Sequence, residues 1–187
     1  EACLVGSEMC IRDSFNSFYK ALPFSLTNAQ ERVIKEIQDD MNKSRPMRRL
    51  VQGDVGSGKT VVAAGAMLTC AKNNLQSVLL CPTEVLAEQH FKNFSIWFAS
   101  ENIDIEILTG KTKKKDWERI DYDLRSGKIK ILIGTHSVFQ KRVSMKNLSL
   151  VVVDEQQRFG VKQRFEMLQK SKEAVLPHQL FMTATPI

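Results

Sequence analysis

The stretch that decides the fold is QGDVGSGKT, residues 52–60, which directly follows the apolar pair Leu50-Val51. Three glycines fall within six residues, and a lysine and a threonine come immediately after them. A simple turn needs one or two glycines, whereas a loop that folds around a ligand needs several positions without a Cβ atom. The stretch matches GxxxxGK[ST], and it lies between a predicted strand and a predicted helix, which is the context that this motif requires.

The pattern indicates a loop that binds the phosphates of a nucleotide. Backbone N–H groups can surround a triphosphate only where no side chain blocks their approach, and the N-terminus of the next helix adds a favourable dipole. The lysine is predicted to reach the β- and γ-phosphates, and the threonine hydroxyl to bind Mg²⁺. The alternative is a glycine-rich turn with a surface lysine. The predicted nucleotide-binding residues are Gly53, Gly56, Ser57, Gly58, Lys59 and Thr60.

An acidic pair, Asp154 and Glu155, lies at the end of the apolar run LSLVVVD, residues 148–154. Its position places Asp154 and Glu155 at the carboxyl end of a buried strand, where open α/β sheets bind ligands. Asp154 is the candidate Mg²⁺ ligand, and Glu155 is the candidate base that orients or deprotonates a water molecule. Such a pair is usually solvated when it stands alone, but together with the glycine-rich loop it predicts attack of water on a bound triphosphate.

Apolar stretches alternate with helical ones from Phe15 onward. Continuous Val, Ile and Leu runs are typical of strands buried on both faces, and their alternation with helices predicts βαβ units. We therefore predict an α/β fold with a mostly parallel sheet and helices on both faces. Strands are predicted at 48–52, 77–81, 103–109, 129–135, 148–154 and 178–184; helices are predicted at 26–41 with a cap at Thr27, at 59–73, 83–98 and 115–126, and briefly after Gly160.

The composition limits the class of protein. The 187 residues suit one domain. The sequence contains no run of about 18 apolar residues, which a membrane-spanning helix would need, so no membrane partner is expected. A net charge of +6 is compatible with a polyanionic partner, but equally with a solvated basic surface. The four cysteines lack CxxC or metal-like spacing, which predicts free thiols and a cytoplasmic protein.

The two ends of the chain differ from the rest. Residues 1–14 show no clear period and hold two of the four cysteines. We interpret them as a non-native or disordered tail, and we expect the domain to run from 15 to 187. The chain ends at TATPI without a C-terminal helix or cap, which indicates that the domain is cut inside a longer protein.

Six stretches stand in the order of the superfamily 2 helicase motifs: QGDVGSGKT, PTEVLAEQH (82–90), LTG (108–110), GTHS (134–137), DEQQRFGVKQR (154–164) and MTATPI (182–187). From about residue 22 to 187 the chain resembles the RecG type of ATP-dependent DNA helicase, and the transcription-repair coupling translocase shares much of this pattern. The resemblance implies a RecA-like P-loop NTPase fold that binds ATP and Mg²⁺. It also implies that this is the first of two motor domains, with the second RecA-like lobe of the parent chain as a partner.

The resemblance also implies roles for individual residues. Gln30 would read the adenine base, with Phe24 near it. RecG-type sequences usually have a histidine where this chain has Gln157. The Gln157 amide can still form hydrogen bonds that link the ATP site to the TAT motif, whereas a role that needs imidazole chemistry would be lost. The residues implied to grip one DNA strand by its phosphates are Pro82, Thr83, Thr109, Gly110, Thr135 and His136. Those implied to couple the nucleotide state to this grip are Thr183 and Thr185.

Several alternatives stay open at this point. A threonine at a strand end is often only a helix cap. The basic stretch KTKKKDWER (111–119) either contacts a DNA backbone or starts a solvated helix, and RFGVKQRF (158–165) either pairs with acids or faces DNA.

The leading hypothesis for function is the motor lobe of a DNA-stimulated ATPase, a branched-DNA helicase or translocase acting in replication-fork repair and recombination. The alternatives are a transcription-repair coupling lobe, an ATPase that moves protein or RNA, and a nucleotide-dependent DNA-binding module with little hydrolysis. The binding module with little hydrolysis is a serious alternative for an isolated lobe, because an arginine finger from a second lobe would supply much of the rate of ATP hydrolysis.

Overall fold

The computed structural model describes residues 8–54, 56–135, 143–155 and 176–184, with the backbone alone for 8–14. The described elements are, in chain order, α1 (Glu8–Ala21), α2 (Asn28–Met41), β1 (Arg48–Gln52), α3 (Lys59–Lys72), β2 (Gln76–Leu80), α4 (Glu84–Trp97), β3 (Ile105–Leu108), α5 (Lys114–Ser126), β4 (Ile131–Gly134), β5 (Leu148–Asp154) and β6 (His178–Thr183). Helix α1 is not among the predicted helices, because residues 8–14 show no clear apolar period. The bounds of the other elements differ from the predicted ones by at most two residues at either end. The short helix predicted after Gly160 falls outside the described residues.

The described strands form one sheet in the order β1-β6-β5-β2-β4-β3, and every pairing between them is parallel. The predicted parallel sheet is therefore confirmed. Parallel strands bring their carboxyl ends to one edge, so the loop after β1 and the acidic pair after β5 share that edge. Only β6 lies between these two strands, which separates them by two strand spacings, or about 9.5 Å.

The two faces of the sheet are covered by different helices, as predicted. On β5, Val152 belongs to a buried cluster with the side chains of α1 to α4, whereas Val151 and Val153 belong to a second cluster with Ile120 and Leu124 of α5. This alternation follows from the pleat, which turns successive side chains to opposite faces. The uniformly apolar strand sequences are thus explained by burial on both sides.

The N-terminal helix α1 begins at Glu8, inside the segment that the sequence pattern sets apart as residues 1–14. Its later residues Phe15 and Phe18 are buried, and Phe18 packs against Trp97 and Phe98 with ring centroids 6.5 and 5.4 Å apart. Where the native domain begins stays a prediction. Among the helices in the described part of the chain, none is long and apolar enough to cross a membrane.

Candidate functional site

The glycine-rich loop between β1 and α3 has the backbone that its sequence predicts. Gly56 and Gly58 have φ angles of 82° and 81°, in the left-handed region that other residues rarely adopt. A Cβ atom on Gly58 would lie 2.1 Å from Nε2 of Gln30, so a larger residue would displace the Gln30 amide in addition to straining the backbone. Gly58 also begins α3 without a capping side chain, which leaves the first turn of the helix to be satisfied by other acceptors.

The lysine of this loop folds back over it. Lys59 Nζ donates hydrogen bonds to the backbone carbonyl oxygens of Gly53, at 2.6 Å, and Asp54, at 2.9 Å. Phosphate oxygens are stronger acceptors for an ammonium than peptide carbonyls, because the bond is then assisted by charge on both sides. The loop therefore has the cation and the bare backbone that fit a nucleotide triphosphate.

The loop is tied to the strand that carries the predicted coupling motif. The N–H of Gly53 donates to the carbonyl oxygen of Thr183 across 3.2 Å, and the register of β1 with β6 places Gln52 opposite Thr183. Thr183 is buried at the end of β6. The candidate coupling residue thus contacts the phosphate loop through the backbone, whereas its partner Thr185 lies outside the described residues.

The acidic pair lies where the sequence predicts it, at the end of β5. Asp154 is half-buried, and its Oδ2 atom is 3.0 Å from Nε2 of His90 in α4. Glu155 has a φ angle of 54°, a strained value for a residue other than glycine, and such strain is concentrated at functional sites. Gln157, the third candidate catalytic residue, lies outside the described part of the chain.

His90 is a site residue to which the sequence reasoning assigned no role. A signal was present: residues 87, 90, 94 and 97 are spaced on one face of a helix, and all four are buried. A histidine on the buried face of a helix needs a polar partner. The sequence indicates this need, but it does not say that Asp154 meets it.

The predicted adenine-reading residue borders the phosphate loop. Gln30 forms a capping box with Thr27 at the start of α2, which confirms the predicted cap, and its Nε2 atom donates to the carbonyl oxygen of Ser57 across 3.0 Å. The amide still has one N–H hydrogen and one lone pair beyond these bonds. Gln30 is thus placed beside the loop that would hold the phosphates of the same nucleotide.

A pocket of about 480 Å³ lies at the same end of α2. Its lining includes Tyr19, Pro23, Phe24, Leu26 and Glu31. The ring of Phe24 is 44% exposed and meets Trp97 edge-on at 6.3 Å, so one face is offered to the pocket side. Burial and the nearby Glu31 raise the pKa of Tyr19, which keeps its phenol neutral. A pocket of this size with aromatic side chains in its lining has room for a nucleotide base.

The candidate DNA-gripping residues follow the other three strands. Thr83 comes after β2, Thr109 after β3 and Thr135 after β4, and these strands are neighbours in the sheet. The Thr83 hydroxyl accepts from the N–H of Leu86 at 3.3 Å and caps α4, while the Thr109 hydroxyl accepts from the N–H of Lys111 at 3.3 Å. Local capping therefore accounts for two hydroxyls, and their contact with DNA stays a prediction. His136 lies outside the described residues.

Two of these loops are joined by an ion pair. Lys111 Nζ is 2.9 Å from Oε2 of Glu84, in the first turn of α4. The Lys111 ammonium, assisted by the backbone N–H groups of Gly110 and Lys111, lowers the pKa of the Glu84 carboxyl. A carboxylate thus lies against the N–H groups of the loop that is predicted to bind a DNA phosphate. The pair is exposed, so its contribution to stability is small.

The edge of the sheet is therefore divided into two halves. The nucleotide and metal candidates follow β1 and end β5, and the coupling candidate Thr183 ends β6 between them. The DNA candidates follow β2, β4 and β3. A glycine-rich loop opening a helix, with an acidic strand end on the same edge of a parallel sheet, defines a P-loop nucleotide-binding domain of the RecA-like type. The family model described as DEAD/DEAH box helicase matches residues 27–187. The chain belongs to this helicase family.

Within this helicase family, the chain is clearly similar to RecG proteins. The chain is 50% identical over 171 residues to the ATP-dependent DNA helicase RecG of Haemophilus influenzae, and 49% identical over 173 residues to that of Escherichia coli K12. These matches cover 91% and 92% of this chain but only 25% of either relative, so the chain spans about a quarter of their length. The resemblance to RecG-type helicases that the motifs predict is confirmed.

Two solved structures show the same architecture. RecG bound to a three-way DNA junction superposes with a TM-score of 0.83 at 42% identity, covering 94% of this chain and 23% of that one. The yeast DEAD-box splicing factor Prp28 superposes with a TM-score of 0.73 at 20% identity, covering 97% of this chain and 46% of that one, and shows the fold alone.

Proposed function

We propose that this chain is the ATP-binding motor lobe of a DNA helicase or translocase of the RecG type. The observation that carries the proposal is the shared sheet edge, on which the Lys59 loop follows β1 and Asp154 ends β5, with only β6 between these two strands. A nucleotide held by the glycine-rich loop would extend its phosphates toward the acidic pair, because β1 and β5 are only two strand spacings, or about 9.5 Å, apart in the sheet.

The residues at this edge suit hydrolysis of ATP with Mg²⁺. Lys59 would bind the β- and γ-phosphate oxygens, and Thr60 and Asp154 would supply oxygen ligands to Mg²⁺, which accepts one or two protein oxygens beside phosphates and water. When bound, Mg²⁺ neutralises charge that develops on the phosphate oxygens. Glu155 would orient the attacking water and accept its proton. Gln30 and Phe24 would hold the base in the pocket beside α2.

The DNA part of the proposal rests on the second half of the edge. Small hydroxyls, a glycine and the N-termini of helices at strand ends are groups that bind phosphate oxygens. The RecG of the solved complex is bound to a three-way DNA junction. We extend this to branched DNA as the substrate of the protein to which this chain belongs, with roles in replication-fork repair and recombination.

Full activity would require a second RecA-like lobe. An arginine finger supplied by another domain is worth about 10³–10⁵ in the rate of phosphoryl transfer. We therefore propose that this lobe by itself hydrolyses ATP slowly and unwinds nothing.

The test is the ATPase rate of the full-length gene product with forked DNA, with linear duplex of the same length, and without DNA. We expect stimulation by DNA, greatest with the fork. A turnover that is the same in all three conditions would contradict the proposal. A preference for RNA would favour the alternative of an RNA motor.

A further inference from the structure

We infer that His90 is a positioning residue that holds the Asp154 carboxylate for Mg²⁺ and connects it to helix α4. This inference rests on the proposed function, in which Asp154 is a metal ligand. It adds a residue from outside the nucleotide half of the sheet edge, because α4 follows β2, the first strand of the DNA half.

The contact is short and shielded from water. His90 Nε2 lies 3.0 Å from Asp154 Oδ2, and the side chains are only 8% and 13% exposed. A carboxylate can only accept, so Nε2 carries the hydrogen and donates it. The ring is also held against Phe94, with centroids 6.3 Å apart. Both the packing and the hydrogen bond therefore fix the direction from which the carboxylate is approached.

The second ring nitrogen of His90 also supports a specific role for the contact with Asp154. His90 Nδ1 is buried and has no hydrogen-bond partner among the described residues. A buried polar atom without a partner destabilises the folded state, so the described residues offer this ring only one stabilising hydrogen bond. Its single polar contact in the described part of the chain is directed at the proposed metal ligand.

The hydrogen bond from His90 to one oxygen of the Asp154 carboxylate affects how the other oxygen can bind Mg²⁺. With Oδ2 engaged by His90, Oδ1 would be the oxygen left to bind Mg²⁺, and the hydrogen bond would restrict rotation of the carboxylate. Mg²⁺ demands near-ideal octahedral geometry, and the contacts that orient a ligand are commonly worth about 10–100-fold in metal affinity. Loss of the donor would let the carboxylate rotate and would raise the Mg²⁺ concentration needed for nucleotide binding.

The same contact couples the two halves of the site. Helix α4 begins at its Thr83 cap, and His90 lies two turns further on, about 10 Å along the helix axis. The loop predicted to grip DNA and the donor that holds Asp154 are thus ends of one rigid segment. A DNA phosphate that shifts the first turn of α4 would move the donor on Asp154.

The test is equilibrium binding of a fluorescent ATP analogue to the full-length gene product, measured in EDTA and across a MgCl₂ titration. The variants are His90→Leu, which keeps the volume and removes the donor, and His90→Gln, which keeps a donor. We expect an unchanged affinity in EDTA for both. The Mg²⁺ concentration that gives half of the maximal increase in nucleotide affinity should rise about 10-fold for His90→Leu. For His90→Gln it should lie near the wild-type value.

A matched control is His178→Gln. His178 is also partly buried, accepts the N–H of Met47 at 2.9 Å, and begins β6 at the opposite edge of the sheet. This variant should leave the Mg²⁺ requirement unchanged. An equal Mg²⁺ requirement for wild type and His90→Leu would overturn the inference. It would also be overturned if His90→Leu lost nucleotide affinity equally in EDTA and in MgCl₂. If the wild type gains no affinity from Mg²⁺, the proposed function itself fails.

Discussion

Gln30 donates a hydrogen bond from Nε2 to the carbonyl oxygen of Ser57 across 3.0 Å, and this bond joins the start of α2 to the phosphate loop. The same side chain accepts the backbone N–H of Thr27 at 2.9 Å. One amide therefore caps a helix and contacts the loop, and the next residue, Glu31, lines the pocket with Phe24. The candidate base pocket and the candidate phosphate loop thus adjoin the same end of α2.

The first prediction concerns recognition of the base. Gln30→Ala should lower ATP affinity roughly 5-fold and reduce the preference for ATP over GTP, because a hydrogen bond to the base is worth about 1 kcal/mol. The measurement is competition of ATP and GTP for a fluorescent nucleotide. Thr27→Ala is the control, since it removes the helix cap and leaves the amide in place. It should cost about 1 kcal/mol of stability without changing the preference. A Gln30→Ala protein that retains the full preference would refute the assignment.

The second prediction separates binding from hydrolysis. Glu155→Gln should retain nucleotide affinity and lower kcat about 10²–10⁴-fold, because the amide cannot accept the proton of the attacking water. Glu88→Gln, an exposed position on α4, is the control and should leave both quantities unchanged. Turnover by Glu155→Gln at the wild-type rate would show that another group activates the water.

The third prediction concerns DNA. The logarithm of the affinity should fall linearly with the logarithm of salt concentration, with a slope of about −0.7 for each phosphate contacted on a single strand. Lys113 and Lys115 are exposed and follow the Thr109 loop at the candidate DNA edge. The double replacement by Gln should make the slope shallower, whereas Lys128→Gln, beyond the far end of α5, should not. An unchanged slope for the double variant would favour the solvated-helix interpretation of this stretch.

The sequence predicts every described element except α1, because the signals of those elements are local. The apolar runs of β2, β4 and β5 have the length and composition of strands buried on both faces, and the Thr27 cap and the glycine-rich loop are patterns a few residues long. The order of the strands is not a local property. The insertion of β6 between β1 and β5, and with it the bond from Gly53 to the Thr183 carbonyl, follows only from the fold.

The site contacts that sequence reasoning did not supply all join distant segments. His90 and Asp154 are 64 residues apart, and Gln30 and Ser57 are 27 residues apart. Side-chain type and helix periodicity show that His90 is buried and that Gln30 lies near a helix start. They do not state which distant atom satisfies each polar group, because that depends on how the layers pack.

The fourth prediction concerns the buried cysteines. Burial raises the pKa of Cys70 to about 12 and also raises that of Cys81, so both thiols are protonated at neutral pH. Since an unfolded thiol ionises near pH 9.0, the folded chain holds more protons above that pH, and stability should fall as pH rises beyond it. Mass spectrometry after iodoacetamide treatment at pH 8 should find both thiols unmodified in the folded protein and modified in urea. Equal labelling in the two conditions would contradict their burial.

The central claim is that a nucleotide triphosphate with Mg²⁺ binds between the Lys59 loop and the Asp154–Glu155 strand end. The most direct measurement is the affinity of the full-length gene product for MgATP, compared between wild type, Lys59→Ala and Lys35→Ala, an exposed lysine on α2. The account predicts at least a roughly 10-fold loss for Lys59→Ala, because a charge-assisted bond to phosphate is worth about 1.5–3 kcal/mol, and no change for Lys35→Ala. Equal affinity in all three proteins would contradict it.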